Sequence, residues 1–246
     1  MSLIDQQNRF RALDQWYKSE AGCKVYEAIN AELAYLKQLL HGDIILQLGS
    51  SGDTPFSMQF RYQHYWLASV TPEPQTTLLT NLNQLPLDRN SVDCIVAPLI
   101  WEAFPEKNPI DEIDRVLKPS GYIVFIGINP ASLWGFWLRF SRKNCFGRRS
   151  KSSKSMLSVK LAMMHRGYIQ CHLSNFYYIP PVSKLSWINR LAVFNQVGKM
   201  LSPMPAGFYC LVMQKHESQP TLVAPVTETL FTPAKACPQS FCRSEN

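Results

Sequence analysis

What this chain of 246 residues lacks narrows its chemistry first. It has no CxxC pair, no zinc-ligand spacing, no phosphate-loop motif, no Gly-x-Ser-x-Gly elbow and no internal repeat. Zinc-ribbon, P-loop and nucleophile-elbow chemistries are set aside on that ground. Seven cysteines, an odd number, suit a reduced, cytoplasmic compartment better than a disulfide framework. The first twenty residues, MSLIDQQNRFRALDQWYKSE, lack the apolar centre of a secretory signal. Tyr122–Leu138 is uncharged for seventeen residues, but its Gly-Ile-Asn-Pro-Ala-Ser centre and low mean hydropathy do not suit a membrane-spanning helix.

The largest absence is of one sign of charge. Residues 115–216 contain fifteen Lys and Arg and no Asp or Glu, whereas residues 1–114 contain fifteen acids and eight bases. The net charge of +7 conceals this asymmetry. A solubilising surface is one reading; a face for an anionic partner, whether lipid headgroups, nucleic acid or an acidic substrate, is the other.

A hydrophobic content of 46% with 12% aromatics describes a chain able to bury a large core. The stretch Leu85–Ile128 organises it. Cys94–Ala97 is a short apolar run closed by Pro98, as in a strand buried on both faces. Ile110, Ile113, Val116 and Leu117 recur at helical spacing. Lys118-Pro119-Ser120-Gly121 supplies a cation, a breaker and a glycine able to take positive φ, and Tyr122–Ile128 reads as a second buried strand. Strand, helix and strand make a βαβ unit of a parallel sheet.

On these residues a resemblance becomes specific. Leu85-Pro86-Leu87-Asp88-Arg89-Asn90-Ser91-Val92-Asp93 resembles the LPF-x-x-x-SFD lead into the fourth strand of class I S-adenosylmethionine-dependent methyltransferases of the type 11, small-molecule group. Arg115-Val116-Leu117-Lys118-Pro119-Ser120-Gly121 resembles that group's RVLKPGG lead into the fifth strand. Asn129-Pro130-Ala131-Ser132-Leu133-Trp134-Gly135 is similar to an NPxSLWG segment of an uncharacterised bacterial subgroup. The resemblance spans residues 16 to 215. It implies an α/β, Rossmann-like, seven-stranded and mostly parallel sheet, with helices on both faces and a C-terminal antiparallel hairpin.

The resemblance also implies S-adenosyl-L-methionine as cofactor, at the carboxyl ends of the strands. After the strand Ile44–Leu48 the family has an acid and alternating glycines; here the positions are Gln47, Gly49, Ser50, Ser51 and Gly52, with Asp53 beyond. Gln47 offers no charge to an ammonium, and Ser51 adds a Cβ where close approach is needed. After the strand Tyr65–Val70 the nearest acid for the ribose hydroxyls is Glu73, and after Thr76–Leu79, Asn81 and Leu82 stand where the adenine is read. Pro98 to Glu102 fill the segment beside the transfer site. Trp101 is either a pocket wall or a core residue, and Glu102 either a general base or a helix-starting acid. His64, His165 and His172 are further bases, or surface and packing residues. Catalytic residues stay unassigned and no metal is implied.

The rest of the domain follows from spacing. Val25, Ile29, Leu33, Leu36 and Leu40 predict a helix over 20–40, with Trp16 and Tyr17 ahead of it as packing residues or pocket closers. Leu157, Leu161 and Met164 lie on one side of a helix over 156–166 that ends at Gly167. Tyr168–Ile179 and Phe208–Gln214 read as the last two strands, and an insertion over 180–206, with a helix near 185–201, can roof the substrate pocket. Within the basic loop 132–155, residues 132–154 interleave Trp134, Phe136, Trp137, Phe140 and Phe146 with Arg139, Arg142, Lys143, Arg148, Arg149, Lys151 and Lys154. That mixture suits an anionic membrane surface, or less well a nucleic acid; a basic loop whose aromatics pack on the fold is the plain alternative. The domain is expected over 1–216 and a disordered tail over 217–246. Two functions are open: a methyltransferase acting on an anionic or membrane-associated small molecule, or a non-catalytic methyltransferase-like module binding lipid, nucleic acid or protein through its basic half.

Overall fold

The computed structural model describes residues 3–49, 52, 54–103, 109–140, 154–182, 185–191, 195 and 205–216. The expected tail, most of the basic loop and most of the insertion lie outside them. Seven strands form one sheet: β1 (Ile44–Leu48), β2 (His64–Ser69), β3 (Leu78–Leu79), β4 (Val92–Pro98), β5 (Leu117–Ile128), β6 (Tyr168–Phe176) and β7 (Phe208–Lys215). Their order is β3-β2-β1-β4-β5-β7-β6, parallel except for β7, which runs antiparallel to both β5 and β6. The predicted fold class, with its C-terminal hairpin, is the observed one.

The helices are α1 (Leu3–Tyr17), α2 (Glu20–Ala34), α3 (Ile100–Ala103), α4 (Ile110–Val116), α5 (Leu133–Phe140), α6 (Met156–Met164) and α7 (Leu185–Leu191). Side chains alternate across a strand, so β7 shows what covers each face. Tyr209 donates to the carbonyl of Lys154, just before α6, and Lys215 reaches the carbonyl of Asp114 in α4. The neighbouring Phe208 packs instead on Trp134 of α5 at 5.4 Å. Helices therefore lie on both faces of this half. The β1-β2-β3 half is leaner: among the described residues, one 3-10 turn, Phe56–Gln59, is the helical element between β1 and β2. No described helix is long and apolar enough to cross a membrane.

Several local expectations change. The helix over 20–40 gives way to a 3-10 turn, Tyr35–Gln38, and α4 runs straight into β5 at Leu117. Ser120, not Gly121, takes the left-handed conformation, with φ of 61°. Gly121 is needed for a different reason: a Cβ there would lie 2.8 Å from the Lys118 carbonyl oxygen and 2.9 Å from that of Asp93. The stripe of Leu157, Leu161 and Met164 faces solvent, because Val159 and Met163 are the residues of α6 that are buried.

The two signature segments prove to be ties at the amino edge of the sheet. Arg115 donates to the carbonyls of Leu85 at 2.9 Å and Leu87 at 2.8 Å and pairs with Glu112, whose carboxylate accepts the Leu85 N–H. Asp93 accepts the N–H groups of Asp43 and Ile44 and both bonds of the Lys118 ammonium, at 2.8 and 2.9 Å. Three strand beginnings are thus fastened to one carboxylate.

Burial works to raise the Asp93 pKa, but the Lys118 ammonium and the two N–H donors outweigh it and hold the group below its usual value of 3.8. The folded pKa lies below the unfolded one, so the stabilisation is present above pH 3.8 and is lost as pH falls through the folded value. Asp93→Asn should cost about 2 kcal/mol at neutral pH, in the range of charge-assisted hydrogen bonds. Urea melts of both proteins at neutral and strongly acid pH check this; a gap that does not close in acid rules the network out as its source.

Candidate cofactor cleft

In an open parallel sheet the ligand crevice forms at the carboxyl edge where the strand order reverses, here between β1 and β4. The chain leaves β1 through Gly49, whose φ of 90° favours glycine and whose N–H donates to the Ala68 carbonyl at 2.8 Å. It leaves β4 through Leu99, also at positive φ. The two loops part there.

Helix α1 closes this edge. Phe10, Leu13 and Tyr17 lie on one side of it, fully or almost fully buried, and Gln6 and Arg9 are buried with them. Gln7 donates to the Val70 carbonyl at 3.1 Å. Trp16 meets Trp134 edge to face at 6.0 Å, and Trp134 donates to the Ile179 carbonyl at 2.8 Å. Tyr17 packs on Phe56 and Tyr26. The ring of Phe10 stands over Gly49, so close that a Cβ on Gly49 would lie 2.7 Å from it.

Between α1 and the loops after β1 and β2 is a cleft of about 370 Å³, lined by Arg11, Asp14, Gln15, Lys18, Gly52, Glu73, Pro74 and Gln75. Its size falls in the range of small-molecule sites. Glu73 accepts from the Thr71 hydroxyl at 3.0 Å, and its N–H donates to the Thr76 hydroxyl. Gly52 donates to the Asp14 carboxylate at 3.4 Å. The inner side of α1 carries buried polar atoms with no hydrogen-bond partner among the described residues: Gln6 Oε1, Arg9 Nε and Nη1, and Tyr17 Oη. Burial, then Asp14 and Glu102, push the Tyr17 pKa well up, so its hydroxyl stays protonated.

Of the cofactor residues expected from the resemblance, Gly52 and Glu73 line this cleft and Gly49 lies beneath Phe10. Ser50 and Ser51 lie outside the described residues. Gln47 is buried, and its Oε1 accepts the Ser57 N–H at 3.0 Å, which pins the 3-10 turn. Asn81 closes a turn by accepting the Asn83 N–H; Leu82 is buried, and Pro98 ends β4. Trp101 is a core residue, stacked on Phe125 at 5.8 Å with the Lys154 ammonium 4.5 Å from its ring. Glu102 is 1% exposed, and its Oε1 accepts the Ile128 N–H at 2.9 Å. His64 starts β2, His165 caps α6, and His172 stands 3.8 Å from Glu32; none of them is among the residues lining the cleft.

Sequence reading missed the contribution of α1. Its signal was present in the spacing of Gln6, Phe10, Leu13 and Tyr17, but two polar members, Gln6 and Arg9, broke the apolar stripe.

A family model described as "Methyltransferase domain" matches residues 61–125. No curated protein matches the sequence. Among solved structures, a chain of the complex between the Haloferax volcanii Trm112 methyltransferase activator and a methyltransferase aligns at 15% identity and TM-score 0.55, covering 83% of this chain and 98% of that one. A SAM-dependent methyltransferase from Thermotoga maritima aligns at 15% identity and TM-score 0.54, covering 86% and 96%. One from Archaeoglobus fulgidus gives 13% and 0.50, covering 76% and 93%. At such identities these likenesses establish the fold alone.

The bond from Ile128 makes Glu102 a structural acceptor that an amide can replace. Glu102→Ala should remove about 2 kcal/mol and lower Tm by roughly 4–8 °C, whereas Glu102→Gln, which keeps an acceptor oxygen, should lose less than half of that. Thermal melts of the two variants check this; equal losses would mean that the negative charge itself is required.

Proposed function

We propose, from the match of residues 61–125 to a methyltransferase-domain family model and from the class I methyltransferase fold around it, that the chain is an S-adenosyl-L-methionine-dependent methyltransferase. The observation that carries the proposal is the cleft at the carboxyl ends of β1 and β2, lined by Gly52 and Glu73 where such a cofactor belongs; beside it, α1 buries the Arg9 guanidinium and the Tyr17 hydroxyl with no partner among the described residues. A buried guanidinium with two unmet N–H groups is costly and is satisfied by an anionic ligand group. Glu73 would accept from the ribose hydroxyls, and Arg9 and the Tyr17 hydroxyl, which do not line the cleft as it stands, would meet the methionine carboxylate once α1 shifts.

The cofactor, when bound, supplies an electrophilic methyl group; the chain supplies position. Orientation by a rigid cleft can lower a barrier by about 7–11 kcal/mol, so transfer needs no conspicuous catalytic dyad. Phe10 covers Gly49, so α1 shifts away from this loop for a ligand to lie against it. Helix α1 then acts as a lid that also keeps water out. The described cysteines, Cys23, Cys94, Cys171 and Cys210, are free, which supports a reduced, cytoplasmic setting.

Phe10 and Gln47 also favour a second reading. A ring over the glycine loop, and an amide already spent on Ser57, suit a methyltransferase-like module that has given up the cofactor. Calorimetric titration of the full chain with S-adenosyl-L-methionine and S-adenosylhomocysteine separates the two. The first reading expects micromolar binding, weakened about tenfold or more by Arg9→Ala through loss of a charge-assisted contact and less by Arg9→Lys. No binding at millimolar concentration, with Phe10→Ala equally silent, would reject it in favour of the second.

A further inference from the structure

Three helices of the basic half present apolar side chains to solvent. On α5, Leu133, Phe136 and Phe140 are exposed, the last two at 51% and 70%, with their rings stacked in parallel at 6.5 Å. On α6, Leu157, Leu161 and Met164 are exposed at spacings of four and three. On α7, Leu185 is exposed, and so is Trp187, with the Arg190 guanidinium 6.0 Å from its ring. Arg139 on α5 and Lys160 on α6 stand among these residues and have no ion pair among the described residues.

All three helices begin at one edge, from which α6 runs back along the sheet toward the amino edge. Ile128, Phe208 and Phe176 are paired across β5, β7 and β6 and mark the carboxyl edge. Helix α5 follows Ile128 directly and is tied to the Ile179 carbonyl through Trp134. Helix α6 begins beside Tyr209, which pairs with Gly127, and α7 begins at Leu185, whose N–H donates to Glu20 at the start of α2. The cofactor cleft opens at this same edge.

We propose that the rim formed by α5, α7 and the start of α6 docks on an anionic lipid bilayer, and so brings the cleft to an acceptor held in that membrane. The part concerning the acceptor rests on the methyltransferase reading; the docking does not. A helix with exposed apolar residues beside cations lies in the headgroup region, where rings and aliphatic chains sink and cations meet phosphates. Residues 115 to 216 contribute no acid to this surface, and among the described residues the acid of the first half that touches it is Glu20, beside Leu185. Nucleic acid fits less well, since stacking uses aromatic faces and leaves Leu133 and Leu157 without a partner. A second copy would bring an identical positive face, which repels.

Co-sedimentation of the full chain tests this, using vesicles of phosphatidylcholine alone and of phosphatidylcholine with phosphatidylserine, at low and high salt. The expected result is binding to the mixed vesicles only, weakened by salt. Phe136→Glu with Phe140→Glu, or Leu185→Glu with Trp187→Glu, should each weaken it about tenfold or more, as should Arg139→Glu with Arg190→Glu. Tyr35→Glu, an exposed aromatic of the other half, should leave it unchanged. All these side chains are exposed, and thermal melts confirm that each variant is folded. No binding to mixed vesicles, equal binding by all variants, or displacement of the chain from vesicles by single-stranded RNA at equal charge would overturn the proposal. Binding is read without cofactor, so a failed cofactor titration removes the methyltransferase reading and leaves the docking result legible, and the reverse holds too.

Discussion

The carboxylate of Asp93 fastens the beginnings of β1, β4 and β5 to one point, and the geometry of the opposite edge depends on that fastening. Strands advance about 3.3 Å per residue, so a one-residue slip would carry Gly49 out of line with Leu99 and turn Gln47 to the other face of the sheet. The residues that make the sequence recognisable, Leu85, Asp93, Arg115 and Lys118, all act at this amino edge. The cleft lies a strand's length away. That separation means that the residues which set register and the residues which face the cleft are different ones, so an intact signature speaks for the fold and not for the ligand chemistry.

The β1-β2 connection is short. A full crossover helix there would point its N-terminus, with its free N–H groups, at the ligand edge. Here one 3-10 turn takes its place, and Gln47 spends its carbonyl oxygen on the Ser57 N–H to hold it. Helix α1 crosses the same edge with Arg9 and Tyr17 turned inward. On the proposed function the donors for a ligand would come from that helix, which would have to shift from Phe10, Leu13 and the Gln7–Val70 bond that hold it.

How much of this was legible in the sequence follows from how each residue signals. The strand Ile44–Leu48 and the unit from Val92 to Ile128 were readable because apolar runs buried on both faces leave little alternative, and because turn residues bracket them. Helix α1 was not, since Gln6 and Arg9 occupy its buried face and a polar residue there looks like a surface position. The stripe of Leu157, Leu161 and Met164 was seen, but periodicity gives the existence of a stripe and not its direction; Val159 and Met163 won the contact with the sheet. Ser120 and Gly121 show the same limit at one turn, where both the left-handed residue and the close approach were needed and the sequence did not say which residue met which need. At the site, Gly52 and Glu73 were legible from motif position, whereas the orphaned donors on α1 required three dimensions.

The charge asymmetry takes on a different meaning once it is placed on the sheet. Lys118 with Asp93, Arg115 with Glu112, Arg166 with Asp111, and Lys215 with Asp114 each join a cation of the second half to an acid of the first. All four sit toward the amino edge, at strand beginnings, on α4, or at the ends of α6 and β7 that return there. Neutralisation is therefore concentrated at one edge. Cations at the carboxyl edge, such as Arg139, belong to a stretch with no acids of its own. The first half also places Asp14, Glu20 and Glu73 at that edge, so the positive field belongs to the part built from residues 115–216 and not to the edge as a whole. On the docking proposal it is that part, beside the cleft, that would face an anionic surface.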